Sequence, residues 1–331
     1  MIIPIMHCFD HNYVIPGAVA FYSLLKNSDT NHTYEIWVLH NGISSEDQIK
    51  LKETISPFRN AHINFLDMHN RFEDLFSQAL HTGHYSKEAL YKFLAPSIFP
   101  QYEKIMIADV DVVYLNDIST NFIEFNIESS DYLAGCKGLS LKGSFLEGIY
   151  SKYSPDFSSE EISKLQTGGG YYIFNLKRMR EDNIEDRLIK YAFENTKKIR
   201  QLEQDVINLI CYPNIKILPA NSMVCTYHYD MYKISSDFLN DVHFSECEVK
   251  NALASPIQLH YATATKPWSH PECTKSTIWF SYLFQTPFSI DYLSIMENKY
   301  RLFRGKTILD IKVPFSKSNR IVLKKTRQVK N

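Results

Sequence analysis

Ile2-Ile3-Pro4-Ile5-Met6-His7-Cys8-Phe9 is a short apolar run with no amphipathic period, and it ends abruptly on Asp10-His11-Asn12-Tyr13. Such a run reads as a strand buried on both faces. Pro16 suits the first turn of a helix, and Ala18, Val19, Phe21, Tyr22 and Leu25 follow at three-to-four spacing as far as Lys26. Tyr34-Glu35-Ile36-Trp37-Val38-Leu39 supplies a second strand. Strand, helix and strand in immediate succession form a βαβ unit, which requires a parallel sheet and a right-handed crossover.

The alternation continues outward from this unit. Ser44 with Asp47 resembles a capping box for a helix running toward Ile55, and Ile63-Asn64-Phe65-Leu66 reads as a third strand. A helical stretch runs from Ser86 through Leu94 and is expected to stop near Pro96 and Pro100. The strongest strand pattern is Lys104-Ile105-Met106-Ile107-Ala108-Asp109-Val110-Asp111, with further strands at 171–176, 215–218 and 257–261 and helices at 176–195 and 203–211. The class is therefore α/β, an open, mainly parallel Rossmann-like sheet with flanking helices.

Composition narrows the function. At 331 residues the chain can bury a sizeable core, and 36 basic against 37 acidic residues give a net charge of −1. That average hides two opposite segments. Residues 299–331 carry eleven Lys or Arg against the single acid Asp310, a charge of +10, which leaves −11 for residues 1–298. Glycine is scarce, 11 in the whole chain, so the cluster Gly168-Gly169-Gly170 calls for a reason. The six cysteines, Cys8, Cys136, Cys211, Cys225, Cys247 and Cys273, show no CxxC spacing, so neither a zinc site nor a disulfide scaffold is signalled and a reducing cytoplasm is expected. The apolar start is too short for a signal peptide, and no apolar run reaches the ~18 residues of a membrane span.

Asp109 and Asp111, two apart on the expected strand, should point to one face. They interrupt an apolar stretch, and leaving two desolvated carboxylates unpaired and adjacent costs several kcal/mol. A divalent cation resolves both problems, and oxygen donors suit Mg²⁺ or Mn²⁺. Solvated acids at a strand end are the plain alternative. An aspartyl-phosphate mechanism is the rival chemistry, although that arrangement usually occupies the first strand. No GxGxxG or GxxxxGK is present, which disfavours dinucleotide oxidoreductases and P-loop NTPases.

Four other segments are candidates. His260 ends an apolar stretch and is followed by Lys266-Pro267-Trp268, so an imidazole could complete a metal site while a lysine neutralises phosphate. Asp10, Asn12 and Tyr13 follow the first strand, the ligand edge of open sheets, as base and ribose contacts or simply as a capped loop. The glycine run offers either close backbone approach to a substrate or a flexible turn. Glu203-Gln204-Asp205 opens an apolar helix, where acids favour the dipole with or without a ligand.

In this order the pieces resemble glycosyltransferase family 8, retaining enzymes of the GT-A fold that include bacterial lipopolysaccharide galactosyl- and glucosyltransferases and glycogenin. The resemblance spans roughly residues 1–285 and rests on Cys8 to Tyr13, Ile107 to Asp111, Gly170 to Leu176, Gln204 to Asn208 and His260 to Trp268. It implies that Asp109, Asp111 and His260 bind Mn²⁺ or Mg²⁺ bridging the diphosphate of a UDP-sugar, with galactose or glucose as the sugar. It places Lys266 on the diphosphate, with Cys8, Asp10, Asn12 and Tyr13 on uracil and ribose. Lys92 and Val110 join the nucleotide-sugar contacts, and Gly169, Gly170 and Tyr171 flank the sugar or acceptor. Gln204 and Asp205 become the catalytic candidates at the anomeric carbon. Three positions depart from the family pattern: Lys92 stands where Arg is common, Gly168-Gly169-Gly170 where Asn-Ala-Gly is common, and Thr263 where a Gly is common.

The reading that follows is a GT-A transferase domain at 1–280 and an aromatic and basic segment at 281–331. That segment is expected to attach peripherally to the anionic inner face of the cell membrane, with a merely solvated tail as the alternative. Nucleic acid is not an expected partner, given the acidic body and the absence of a reading motif. The acceptor is expected to be a saccharide or glycolipid of a surface glycan. A non-catalytic nucleotide-sugar binding protein and the aspartate-based phosphotransferase remain the other function classes.

Overall fold

The computed structural model describes residues 1–69, 71–78, 86–137, 153, 155–234, 243–303, 306–310 and 320–324. The opening run becomes β1 (Ile2–Cys8), inserted between β2 (Thr33–His40) and β4 (Lys104–Ala108) and parallel to both. With strands on both sides and Ile3, Ile5 and Met6 fully buried, an unbroken apolar sequence is what the position requires. β3 (Ala61–Asp67) extends the parallel set. β6 (Leu133–Lys137), β7 (Thr167–Asn175) and β8 (Ile215–Ile217) complete a seven-stranded sheet in the order β3-β2-β1-β4-β7-β6-β8, in which β7 alone runs against its neighbours. The helix Val14–Asn27 makes the first crossover, and Ser44 caps the helix Ser45–Ile55 by accepting the backbone N–H of Asp47 at 3.1 Å.

One core cluster beneath the site is built from Met6, Leu39, Tyr91, Phe93, Ile105, Ile107, Tyr172, Phe174, Val206 and Ile207. It joins the sheet to the 3₁₀ segment Lys87–Leu94 and the helix Leu202–Cys211, the elements that carry Lys92 and Gln204.

Four expectations need correcting. The strand read over 104–111 ends at Ala108, and the chain crosses at Asp109–Asp111 into a second, three-stranded sheet of β5 (Val112–Tyr114), β10 (Gln258–His260) and β9 (Met223–Cys225). Holding two carboxylates on an internal strand face would cost several kcal/mol, whereas the crossover brings them to the sheet edge. Pro96 does not stop the helical stretch; it lies in the first turn of a further short helix, Ala95–Ile98, where its missing N–H has no partner to lose. The helix read over 176–195 is two, Leu176–Glu181 and Ile184–Glu194, parted by Asn183 at φ 53°. The glycine run is no turn but the start of β7.

The chain divides into two units, residues 1–287 and 288–331. The second contains the helix Ser289–Phe303 and the antiparallel pair β11 (Lys306–Asp310) and β12 (Arg320–Lys324). Much of the basic tail read from the sequence, 304–305, 311–319 and 325–331 with the side chains from 299 onward, lies outside the described residues. Among the described residues no helix is long and apolar enough to cross a membrane. All six cysteines are free.

Candidate functional site

The crossover between the two sheets sets the geometry. Asp111 is held through its backbone, since its carbonyl accepts the N–H of Tyr261 at 2.9 Å where β10 ends opposite β5. His260 is thereby brought against both aspartates, its Nε2 3.1 Å from Asp111 Oδ1 and 3.8 Å from Asp109 Oδ2. One donor atom from each of the three lies within 4.8 Å of the others. Two carboxylate oxygens and an imidazole nitrogen at such spacing match a small divalent cation that takes oxygen and nitrogen donors. The carboxylates converge because the backbone bends between them, not because they alternate along one strand.

Charge organises the surroundings. Lys266 Nζ pairs with Asp111 Oδ2 and donates to the carbonyl of Tyr261 at 2.6 Å. Burial alone would raise the Asp111 carboxyl, but Lys266 and His260 hold it far below the usual carboxylate range. Burial likewise opposes the charged form of His260, and Asp111 outweighs it, bringing the imidazole up to about 10.

Lys92 is sealed inside the protein, 1 % exposed. Its ammonium donates to Asp109 Oδ1 at 2.8 Å, to the Gly169 carbonyl at 2.9 Å and to Glu203 Oε1 at 2.8 Å. Burial would strip its proton, and the two carboxylates more than reverse that, holding it well above the ordinary lysine value. All three N–H donors are thus committed inside the protein, so Lys92 acts as an internal strut between the aspartate pair and the helix Leu202–Cys211.

Gln204 lies on that helix. Its Oε1 accepts the N–H of Gly169 at 2.8 Å and its Nε2 donates to Gln201 Oε1, so the carboxamide is oriented from both ends. Asp205 is fully buried, one oxygen accepting Tyr153 Oη–H at 2.9 Å and the other the N–H groups of Arg200 and Gln201, both at 2.8 Å. It ties down the chain entering the helix. The glycines prove to be seats for side chains: a Cβ on Gly169 would fall 2.9 Å from Glu203 Oε1.

At the end of β1, Asp10 accepts the backbone N–H and the Nδ2 of Asn12, both at 2.9 Å, which caps the turn His11–Tyr13. The Tyr13 ring stands edge-on to Trp268, centroids 5.6 Å apart, so the β1 edge and the segment after β10 meet over the site. Burial raises the thiol of Cys8 and keeps it protonated. Val110 is buried between the two aspartates.

Residues 4–271 match the family described as Glycosyl transferase family 8. The chain belongs to glycosyl transferase family 8. General stress protein A of Bacillus subtilis (strain 168) is 23 % identical over 293 residues, 85 % of this chain and 94 % of that protein. Among solved structures, the bifunctional glycosyltransferase WbbM in its apo form superposes with a TM-score of 0.67 at 21 % identity, over 88 % of this chain and 51 % of that one, so this chain spans about half of WbbM. The galactosyltransferase LgtC, solved with donor and acceptor sugar analogues, gives a TM-score of 0.66 at 17 % identity over 86 % of this chain and 96 % of LgtC. These likenesses show the GT-A fold. Family 8 membership makes this a glycosyltransferase-family protein and sets aside the aspartyl-phosphate alternative.

Among the residues expected from the sequence, the structure brings Asp109, Asp111, His260 and Lys266 together directly and joins Lys92, Gly169 and Gln204 to them through hydrogen bonds. Glu203 is the charged residue that sequence reasoning left to the helix dipole. A signal for it existed: Lys92 stands in Leu90-Tyr91-Lys92-Phe93, and a cation in so apolar a segment needs a buried carboxylate partner.

Proposed function

We propose that the protein is a metal-dependent retaining hexosyltransferase that moves galactose or glucose from a UDP-sugar to a saccharide or glycolipid acceptor of a surface glycan. The observation that carries this reading is the convergence of Asp109, Asp111 and His260, beside a paired lysine, in a family 8 chain. The donor set, two carboxylates and an imidazole, fits Mn²⁺ or Mg²⁺. When bound, such a cation supplies Lewis-acid stabilisation of the charge on the departing diphosphate.

The protein's own residues divide the remaining tasks. Lys266 places a point charge on diphosphate oxygens. Tyr13, Asn12, Asp10 and the backbone at Cys8 and Val110 hold uracil and ribose, whereas Gly170 and Tyr171, expected to flank the sugar, are taken up by the His260 ring and by the core. Gln204 faces the sugar with an amide oxygen that already accepts a backbone N–H, which weakens it as a nucleophile. This favours delivery of the acceptor hydroxyl on the same face, assisted by the leaving phosphate, over a covalent glycosyl intermediate. Asp205 then acts by positioning Gln204. The 281–331 segment carries the enzyme to the inner face of the membrane through its positive charge.

Release of UDP from a panel of UDP-sugars, measured with and without Mn²⁺, tests the reading. Turnover with one or more sugars that vanishes in Asp111→Ala is expected; tight UDP binding without turnover under any acceptor points to a binding module instead. Equal sedimentation with anionic and neutral liposomes would remove the membrane role.

A further inference from the structure

Both metal-site aspartates are paired with a lysine, but the two lysines are held differently. Lys92 is sealed in the core with each of its three donors taken. Lys266 lies on the segment after β10, outside any helix or strand, with Asp111 and the Tyr261 carbonyl as partners among the described residues. Asp111 consequently has one oxygen facing His260 at 3.1 Å and the other covered by Lys266.

We propose that Lys266 is the resident counter-ion of Asp111, and that a divalent cation entering among Asp109, Asp111 and His260 displaces it and frees its ammonium for the nucleotide diphosphate. The proposal rests on the metal-dependent reading above. A doubly charged ion and an ammonium on one carboxylate repel each other, and the lysine is the partner able to leave because it sits on a loop segment that can shift with it. The consequence is linkage: the cation and the diphosphate favour each other through Lys266, while the cation and Lys266 oppose each other in the absence of nucleotide. Trp268, two residues on, packs on both Tyr13 and Trp279 with centroids 5.6 Å apart, so movement of this segment is reported by its indole.

The test is Mn²⁺ binding by the full-length protein without nucleotide, read by the paramagnetic signal of free Mn²⁺. Lys266→Met should bind Mn²⁺ about tenfold more tightly than the wild type, and Lys266→Arg should stay within about twofold of it, a size usual for coupled sites. Asp111→Asn should lose binding. Mn²⁺ should change tryptophan fluorescence in the wild type and not in Trp268→Phe. Unchanged or weaker Mn²⁺ affinity in Lys266→Met, with binding still lost in Asp111→Asn, would overturn the exchange and leave the metal reading standing. Absence of Mn²⁺ binding by the wild type and Lys266→Met alike, with and without UDP, would overturn both.

Discussion

Gly170 and His260 are in such close contact that a Cβ on the glycine would lie 2.6 Å from both Cε1 and Nδ1 of the imidazole. The glycine admits the ring that completes the aspartate pair. Gly170→Ala should therefore push His260 away, weaken Mn²⁺ binding at least tenfold and cost about 1–3 kcal/mol of stability through overpacking. Gly168→Ala should stay close to the wild type, because its nearest neighbour is the mobile end of Met223 at 3.1 Å. Mn²⁺ titration and thermal melts of the two variants check this, and equal behaviour would sink it.

Lys92 neutralises two carboxylates from within the core. Lys92→Met would leave Glu203 buried without a counter-charge, and breaking a buried pair from one side costs about 3–5 kcal/mol. Adding Glu203→Gln should recover part of that loss, since the buried charge goes with its partner. Urea denaturation of the single and double variants gives the comparison; a loss below about 1 kcal/mol in Lys92→Met would contradict the strut assignment.

His7 makes stability depend on pH. Its ring is fully buried, and burial lowers its value from 6.5 to about 4 even though Nδ1 hydrogen-bonds the Ala108 carbonyl. As pH falls through this window the unfolded chain takes up the proton first, so folding weakens progressively and by about 3 kcal/mol once both states are protonated. His7→Asn removes this titration and should flatten the decline between about pH 7 and about pH 4.5. Parallel profiles for the two proteins, measured by urea midpoints, would rule the assignment out.

Asp205 and Tyr153 should separate positioning from binding. Asp205→Asn loses an ionic acceptor of two backbone N–H groups and should lower turnover while leaving UDP affinity unchanged, with about 1–3 kcal/mol lost in stability. Tyr153→Phe removes the hydrogen bond to Asp205 and should cost about 1 kcal/mol. A fall in UDP affinity in Asp205→Asn, seen by calorimetry, would instead place Asp205 in the nucleotide site.

The amino-acid sequence by itself determined the α/β class and the βαβ start, and it picked out Asp109, Asp111 and His260 as the candidate metal ligands that the structure brings within reach of one another. Hydrophobic period, run length and the cost of a bare carboxylate are local properties, readable wherever a residue sits. The tertiary structure alone decided who meets whom. Lys92 and Glu203 are 111 residues apart, and while the apolar segment around Lys92 calls for a carboxylate, nothing local says which one. The bend at Asp109–Asp111 depends on β5 finding β10, a pairing across nearly 150 residues whose register sets His260 opposite Val112. The glycine run, read as room for a substrate, is filled at Gly170 by an imidazole and at Gly169 by a carboxylate, because close packing assigns space only once every neighbour is in place.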